Sequence, residues 1–322
     1  MDTAPPSPSS PHLEWSNVGF GFAFIALDMV LSQVLQLQIG TSLVISALRC
    51  IVQLTLVATV LQSVFASQNM WTVAAIALLL NMLGTFEAVV VKAERRCRHM
   101  IPIVFLAMVV STVPTSILGG RFAMGVSPFW TPDQYIPVLG MLCGNAIAGI
   151  SVALSYVLKE LDENRDKTET YLAFGASRFE ACRPLVVEAL RLSLTPVINQ
   201  MSVTGIIAIP GMMSGAILGG ADVQQAARLQ MIIMFMIAAS SALACIVATL
   251  LALSVCVDGE HRIRSERIHM RSGHALRRTK SGDVGDIAGA AWRAWIRLAG
   301  CWKHHRVDVE NGNAGERAPL LG

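Results

Sequence analysis

Asp28, Arg49 and Glu87 are ionisable side chains set in stretches otherwise too apolar to hold them. A charge at such a depth is costly unless it is paired or wetted. Arg49 and Glu87 carry opposite signs and fall near the same end of their respective runs, so an ion pair between them is expected. Asp28 has no evident partner; it either borders a water-filled cation route or sits at a polar interface. Asn145 and Asn199 are amides in similar runs, and each is expected to face a bundle interior where it finds a partner. Met141, Met201, Met212, Met213, Met231, Met234 and Met236 add thioethers, soft ligands suited to copper(I). Methionine more commonly fills helix interfaces, so these residues name no metal. Covalent catalysis has no apparatus here: no nucleophile, base and oxyanion donors stand at usable spacing. Neither H-E-x-x-H nor a G-x-x-x-x-G-K-[ST] phosphate loop occurs. The chain reads as no enzyme, with no cofactor of its own and no ATP site.

The elements that must position these groups are long apolar runs. Of 322 residues, 53% are hydrophobic and only 15% charged, with mean hydropathy +0.55, whereas soluble domains are roughly a quarter charged. Runs of about 20 residues, enough to cross a bilayer core, recur along the chain. About seven spans are expected, near 15–37, 43–65, 71–91, 101–120, 135–158, 197–219 and 230–257. The runs are continuous rather than alternating, so the fold class is an all-α polytopic membrane protein and not a β-barrel. The opening MDTAPPSPSSPH has no Lys or Arg and no small-residue cleavage site. It does not read as a secretory signal; residues 1–14 are expected to be a disordered extracytosolic segment before a retained first span. The seven cysteines (Cys50, Cys97, Cys143, Cys182, Cys245, Cys256 and Cys301) form no C-x-x-C pair. Their scatter favours buried or reduced thiols over disulfides or zinc.

Positive charge sets the orientation. Lys92, Arg95, Arg96 and Arg98 follow the third span. Lys159, Arg165, Lys167, Arg178, Arg183 and Arg191 follow the fifth, and Arg262, Arg264, Arg267 and Arg271 follow the last. Seven spans put all three basic segments on one side, the cytosol, leaving the N-terminus outside and the C-terminus inside.

The segment 159–196 is too charged at its start to span and leads straight into the Pro/Gly-broken run 197–219. Glu169 is expected to open an exposed helix, Gly175 to permit a sharp turn, and a second helix to start near Arg178. A cytosolic helix of this kind is what an ABC permease docks on its ATPase. Pro210-Gly211 in mid-span invites a helix break where the backbone lines a cavity or packs in protein. Gly140, Gly144 and Gly149 offer close helix approach.

The strings TPVINQMSVTGIIAIPGMMSGAILG at 195–219 and IPVLGMLCGNAIAG at 136–149 carry a resemblance. With GAS at 175–177, Arg183-Pro184 and R-x-x-V-Q-L from Arg49 to Leu54, they resemble the FetB-type ABC permease family over roughly residues 17–257. That family includes bacterial permeases linked to iron export and plant permeases linked to aluminium tolerance. The resemblance implies a permease subunit that pairs as a homodimer and is driven by a separate ABC ATPase subunit. It implies an ATPase-coupling group of Glu169, Gly175, Ala176, Ser177 and Arg183. Asn145, Asn199, Met201, Pro210, Gly211, Met212, Met213 and Asp28 would border the translocation path. The cargo it implies is an iron-like metal ion; a nucleotide sugar is the alternative within the family. A non-transporting membrane scaffold is the rival from another class. No nucleic-acid partner is indicated.

Residues 258–322 read as a separate cytosolic tail. Its Arg262–Lys280 stretch is basic and polar. In AAWRAWIRLAGCWKHHR, Trp292, Trp295, Ile296, Ala299 and Trp302 share one helical face. That pattern fits a helix lying on membrane lipids or a calmodulin-type target. Glu316, Leu320 and Leu321 form an acidic dileucine sorting pattern, which points to vacuole, lysosome or endosome rather than the cell surface; the plasma membrane is the alternative destination.

Overall fold

The computed structural model describes residues 14–256, apart from 37, 38, 68, 94, 98 and 129, together with 268–270. The chain divides into two compact units, 1–268 and 269–322. The first is helical: α1 (Trp15–Val34), α2 (Gly40–Ser67), α3 (Met70–Phe86), α4 (Met100–Leu118), α5 (Pro132–Glu163), α6 (Arg165–Ala173), α7 (Arg178–Val203), α8 (Gly211–Leu218) and α9 (Val223–Cys256). Wider π turns extend α3 through Glu87–Lys92 and α4 through Gly119–Ala123. A three-residue strand, β1 (Arg95–Cys97), lies between α3 and α4; a second, β2 (Ile268–Met270), reaches into the head of the second unit. The tail's proposed amphipathic helix and its Glu316, Leu320 and Leu321 lie outside the described residues.

Local chemistry sets the helix starts. The Ser32 hydroxyl accepts hydrogen bonds from the amides of Ile39 and Gly40, closing the turn from α1 to α2. The Asn69 side chain accepts from the Trp71 amide at the start of α3. Asp222 accepts from the amides of Gln224 and Gln225 at the start of α9. Each supplies an acceptor to amides that have no partner inside the helix.

Among the described residues, six helices are long and apolar enough to cross a membrane, within Trp15–Val34, Ser42–Thr59, Met70–Lys92, Met100–Ala123, Pro132–Glu163 and Val223–Cys256. Their outward faces are apolar: Phe20 is 76% and Phe24 73% exposed on α1. No soluble helix keeps such a surface, and the chain is an all-α, multi-pass integral membrane protein.

The run 197–219 differs from the single broken span expected of it. Its first part is the end of α7, an unbroken helix that starts at Arg178 and carries Pro184 and Pro196 internally. A turn over Thr204–Ile209 follows, with Gly205 left-handed at φ +92°. Pro210 then stands just ahead of α8. The break therefore precedes Pro210, and the proline costs no internal hydrogen bond because it caps a helix start. Helix α7 traverses the bundle. Its first half packs Ala181, Cys182 and Leu185 into the main core with Leu158, Leu161, Leu253 and Cys256. Its second half packs Val197 and Met201 into a second cluster with Val138, Leu142, Ile233 and Ile237. It thus runs alongside α5 and α9 from one end to the other, too polar at its start to be counted by apolarity alone.

Helix α9 packs against α4, α5 and α7. Its buried face is built of small residues: Ser240, Ser241, Ala244, Cys245, Ala248 and Ala252 are fully buried. Small residues let backbones approach closely where lipid gives no hydrophobic reward for helix contact. Gly149 of α5 marks a close approach in that seam. A Cβ placed there would lie 2.7 Å from Cys245 Sγ, whereas Gly140 and Gly144 face open space and approach no helix. Gly149→Leu should therefore destabilise the bundle by about 1–3 kcal/mol through overpacking, while Gly144→Leu should leave it unchanged. Thermal unfolding of both variants in one detergent checks the contrast.

Candidate functional site: the elbow and the polar interior

The charged segment after α5 folds into an elbow. Helix α6 opens at Arg165, so Glu169 sits in its second turn rather than at its start. There Glu169 Oε1 accepts from Arg165 Nε at 2.5 Å. The helix ends in a Schellman motif. The Gly175 amide donates to Leu172 O and the Ala176 amide to Tyr171 O, at 3.0 and 3.1 Å. That closure needs a left-handed residue, and Gly175 has φ +89°. Ser177 follows at once as the N-cap of α7, in a capping box with Glu180. The Glu180 carboxylate accepts from the Ser177 amide at 2.9 Å and from its hydroxyl at 2.6 Å. The spacing G-A-S-x-x-E thus stops one helix and starts the next without slack. Ala176 packs against the main core, and Arg183 is exposed on α7. The elbow presents aromatic rings outward: Phe174 is 87%, Phe179 56% and Tyr171 53% exposed.

The elbow leaves the bundle where other elements converge. Arg95 of β1 reaches the end of α5, its Nη1 2.5 Å from Asp162 Oδ2 and its Nη2 2.7 Å from Glu163 Oε1. Its own side chain is largely buried. Cys97 and Cys256 join the same core as Leu158 and Leu161, so the end of α9 lies here too. Lys92, Lys159, Arg165 and Lys167 therefore share one end of the molecule.

The polar interior differs from expectation in its membership. Arg49 and Glu87 form a paired fork, with Nη2–Oε2 at 2.5 Å and Nη1–Oε1 at 3.3 Å, partly exposed. Asn145 finds its partner in its own helix, donating to Met141 O at 2.9 Å rather than across the bundle. Asn199 is exposed on α7, not turned inward. Asp28 is likewise exposed, on α1. The amide that does knit helices together is Asn81 of α3, which is fully buried. It donates to Ala77 O, accepts from Thr112 Oγ1 of α4 at 2.9 Å, and lies 3.9 Å from Cys143 Sγ of α5. The signal that marked Asn145 and Asn199, an amide in an apolar run, marks Asn81 equally. Met201 and Met212 pack with Met124, Met141, Met234 and Met236 in the second cluster. Pro210, Gly211 and Met213 lie around the start of α8 beside them, while Met231 is exposed. Among the described residues, Gln230 Oε1 and the Ser240 and Ser241 hydroxyls are buried without a hydrogen-bond partner, all on α9.

Two measurements probe this geometry. Ser177→Ala removes the N-cap and should cost about 1 kcal/mol locally, read as faster amide exchange in the first turn of α7. The hydrogen bonds from Ser177, hydroxyl before amide, hold the Glu180 carboxyl below its ordinary value. The box is thus fully in place above the usual glutamate pKa of about 4.3. It should be lost as pH falls through the lower folded value, so wild type should approach Ser177→Ala in strong acid. Separately, Arg49→Glu and Glu87→Arg should each lower folded yield in membranes, and the double swap should restore it; failure of the swap would count against a charge pair.

A family model described as Uncharacterised protein family (UPF0014) matches residues 15–256. UPF0014 membrane protein slr1647 of Synechocystis sp. is 30% identical over 74% of this chain and 91% of its own. The protein ALUMINUM SENSITIVE 3 of Arabidopsis thaliana is 31% identical over 70% of this chain and 81% of its own. The "Probable iron export permease protein FetB" of Escherichia coli is 23% identical over 79% of this chain and 96% of its own. No solved structure matches. The family model spans every described helix from the first crossing to the last, and the chain is a member of the UPF0014 family of membrane proteins.

Proposed function

We propose that this chain is the permease subunit of an ABC transporter, moving a metal ion by alternating access with ATP hydrolysed on a separate subunit. The observation that carries the reading is the elbow. It exposes Phe174, Phe179 and Tyr171 on a rigid turn whose outgoing helix continues unbroken for 26 residues, about 39 Å. Aromatic anchors of this kind suit a groove on a partner. A push on them is carried along α7, past Pro184 and Pro196, to the turn and α8 at the far end. Glu169, Gly175, Ala176 and Ser177 build the elbow, and Arg183 lies on its outer surface as a candidate contact to the ATPase.

The gathering of Lys92, Arg95, Lys159, Arg165 and Lys167 at the elbow's end supports placing that end in the cytosol. With α7 as a crossing, the N-terminus is then outside and the C-terminus inside. The exposed face of α7 supports pairing of two copies. Arg191, Thr195, Asn199 and Ser202 recur along one stripe of it, all exposed in a single copy. Such a stripe is costly against lipid and is covered when two copies face each other. The path then runs between them, with Asn199 on its wall and the Met201–Met212 cluster behind it. Iron as cargo is read from the name of the Escherichia coli relative alone.

The test is transport. Membrane vesicles carrying the chain with a co-expressed ABC ATPase subunit, loaded with iron, should lose iron on addition of ATP. Phe174→Asp should reduce that flux at least tenfold, about 1.4 kcal/mol of lost coupling, without changing the amount of folded protein. Flux unaffected by Phe174→Asp, or an ATPase that never co-purifies with the chain, would refute the coupling role.

A further inference from the structure

The last turn of α5 carries the wrong charges for its place. Glu160, Asp162 and Glu163 lie in it, and no basic residue does. A helix ends in carbonyl groups without partners and in a partial negative charge. Three carboxylates there are repelled by that end and favour unwinding. The joint beyond is no firmer. Asn164, the single residue between α5 and α6, makes no capping bond with its side chain, and the nine-residue α6 buries only Thr168 and Leu172. Yet this turn is the root from which the elbow projects.

Arg95 supplies the missing cation from another part of the chain. Its Nη1 lies 2.5 Å from Asp162 Oδ2 and its Nη2 2.7 Å from Glu163 Oε1, with only 11% of the side chain exposed. Its backbone is a fixed base, because Ala93 and Cys97 on either side are buried in the main core. We propose that Arg95 is a positioning residue for transport: it keeps the last turn of α5 wound, so that a push on the elbow moves α7 instead of unwinding α5. The consequence for flux rests on the permease reading; the hold on α5 does not.

Arginine is the side chain this place requires. Asp162 and Glu163 are consecutive, so they project about 100° apart around the helix. A guanidinium fork reaches both with separate nitrogens. A lysine ammonium is a point charge that would hold one carboxylate and release the other. The neighbouring lysines do not stand in for it. Lys159 Nζ is 4.0 Å from Glu163 Oε2 and Lys167 Nζ 3.8 Å from Glu160 Oε1, and both lysines are exposed. Long, solvated pairs of that kind contribute little. The short, two-pronged and largely desolvated contact of Arg95 belongs to the stronger class. It therefore decides whether the turn holds.

The experiment has two readouts. Full-length protein in lipid nanodiscs is followed by amide hydrogen exchange at single-residue resolution. In wild type, the amides of 161–163 should exchange about tenfold more slowly than those of 171–173 at the end of α6. Arg95→Lys should raise exchange in 161–163 about tenfold while leaving α4 and α9 as they are. Arg95→Glu should raise it further, and joining it to Asp162→Arg should restore protection. In iron-loaded vesicles with the co-expressed ATPase, Arg95→Lys should keep the ATPase bound and ATP hydrolysed. Iron released per ATP should fall about fivefold or more, the range of ordinary coupling between sites, and the charge swap should recover it. A merely structural anchor would lower the amount of folded protein and leave that ratio unchanged. Wild-type protein in which 161–163 exchange as fast as α6 would overturn the proposal, even if every variant failed to fold. So would Arg95→Lys with wild-type exchange and a wild-type ratio, and in both cases the permease reading stands as long as wild type releases iron with ATP. Wild type that neither binds the ATPase nor releases iron would refute the permease reading, and the positioning role with it.

Discussion

The close approach of α9 to α4 and α5 is the constraint on which the rest of this molecule hangs. Lipid tails are as apolar as leucine, so helices gain little by hiding apolar surface from them. Attraction must come from dispersion between backbones that come near, and from buried hydrogen bonds. The chain supplies both. Ala244, Ala248 and Ala252 on α9 and Gly149 on α5 remove the side-chain bulk between backbones. Asn81 ties α3 to α4 from within. The outer helices need no such devices: α1 packs mainly on α2 and turns Phe20 and Phe24 outward.

That rigid interior gives meaning to the end where α5, β1 and α9 meet. Arg95 is largely buried and would be a liability without its two carboxylates. With them it fixes the α3–α4 connection to the last turn of α5, from which the elbow emerges. The Schellman closure at Gly175 and the capping box at Ser177 leave no flexible residue between α6 and α7. The exposed aromatic rings are thus joined to α7 by a closed turn.

Several parts of this arrangement were open to inspection in the residue order, for plain reasons. Helical crossings are long and continuous, so their apolar runs stand out even without packing information. Gly175-Ala-Ser177 reads as a turn because left-handed backbone and a hydroxyl cap are local requirements. The Arg49–Glu87 fork was accessible because opposite charges in apolar runs have few alternatives. Other parts were not accessible. Asn145 satisfies its amide within its own helix, and Asn199 lies on an outer stripe, because an amide in an apolar run shows only that a partner is needed. Asn81 carries the same signal and fulfils it across helices. Gly140 and Gly144 share the spacing of Gly149 but face open space.

The sequence by itself determined an integral, all-helical membrane protein, the place of six of its crossings and the sharp turn before its seventh helix. Each of these follows from hydropathy, run length or backbone preference within a few neighbouring residues. Only the tertiary structure decided that α7 traverses the bundle despite its charged start, since a helix shielded by α5 and α9 need not be apolar all round. It alone decided that Arg95 meets Asp162 and Glu163. Those encounters join residues far apart in the chain, and their distances are fixed by how helices pack, which no local stretch encodes.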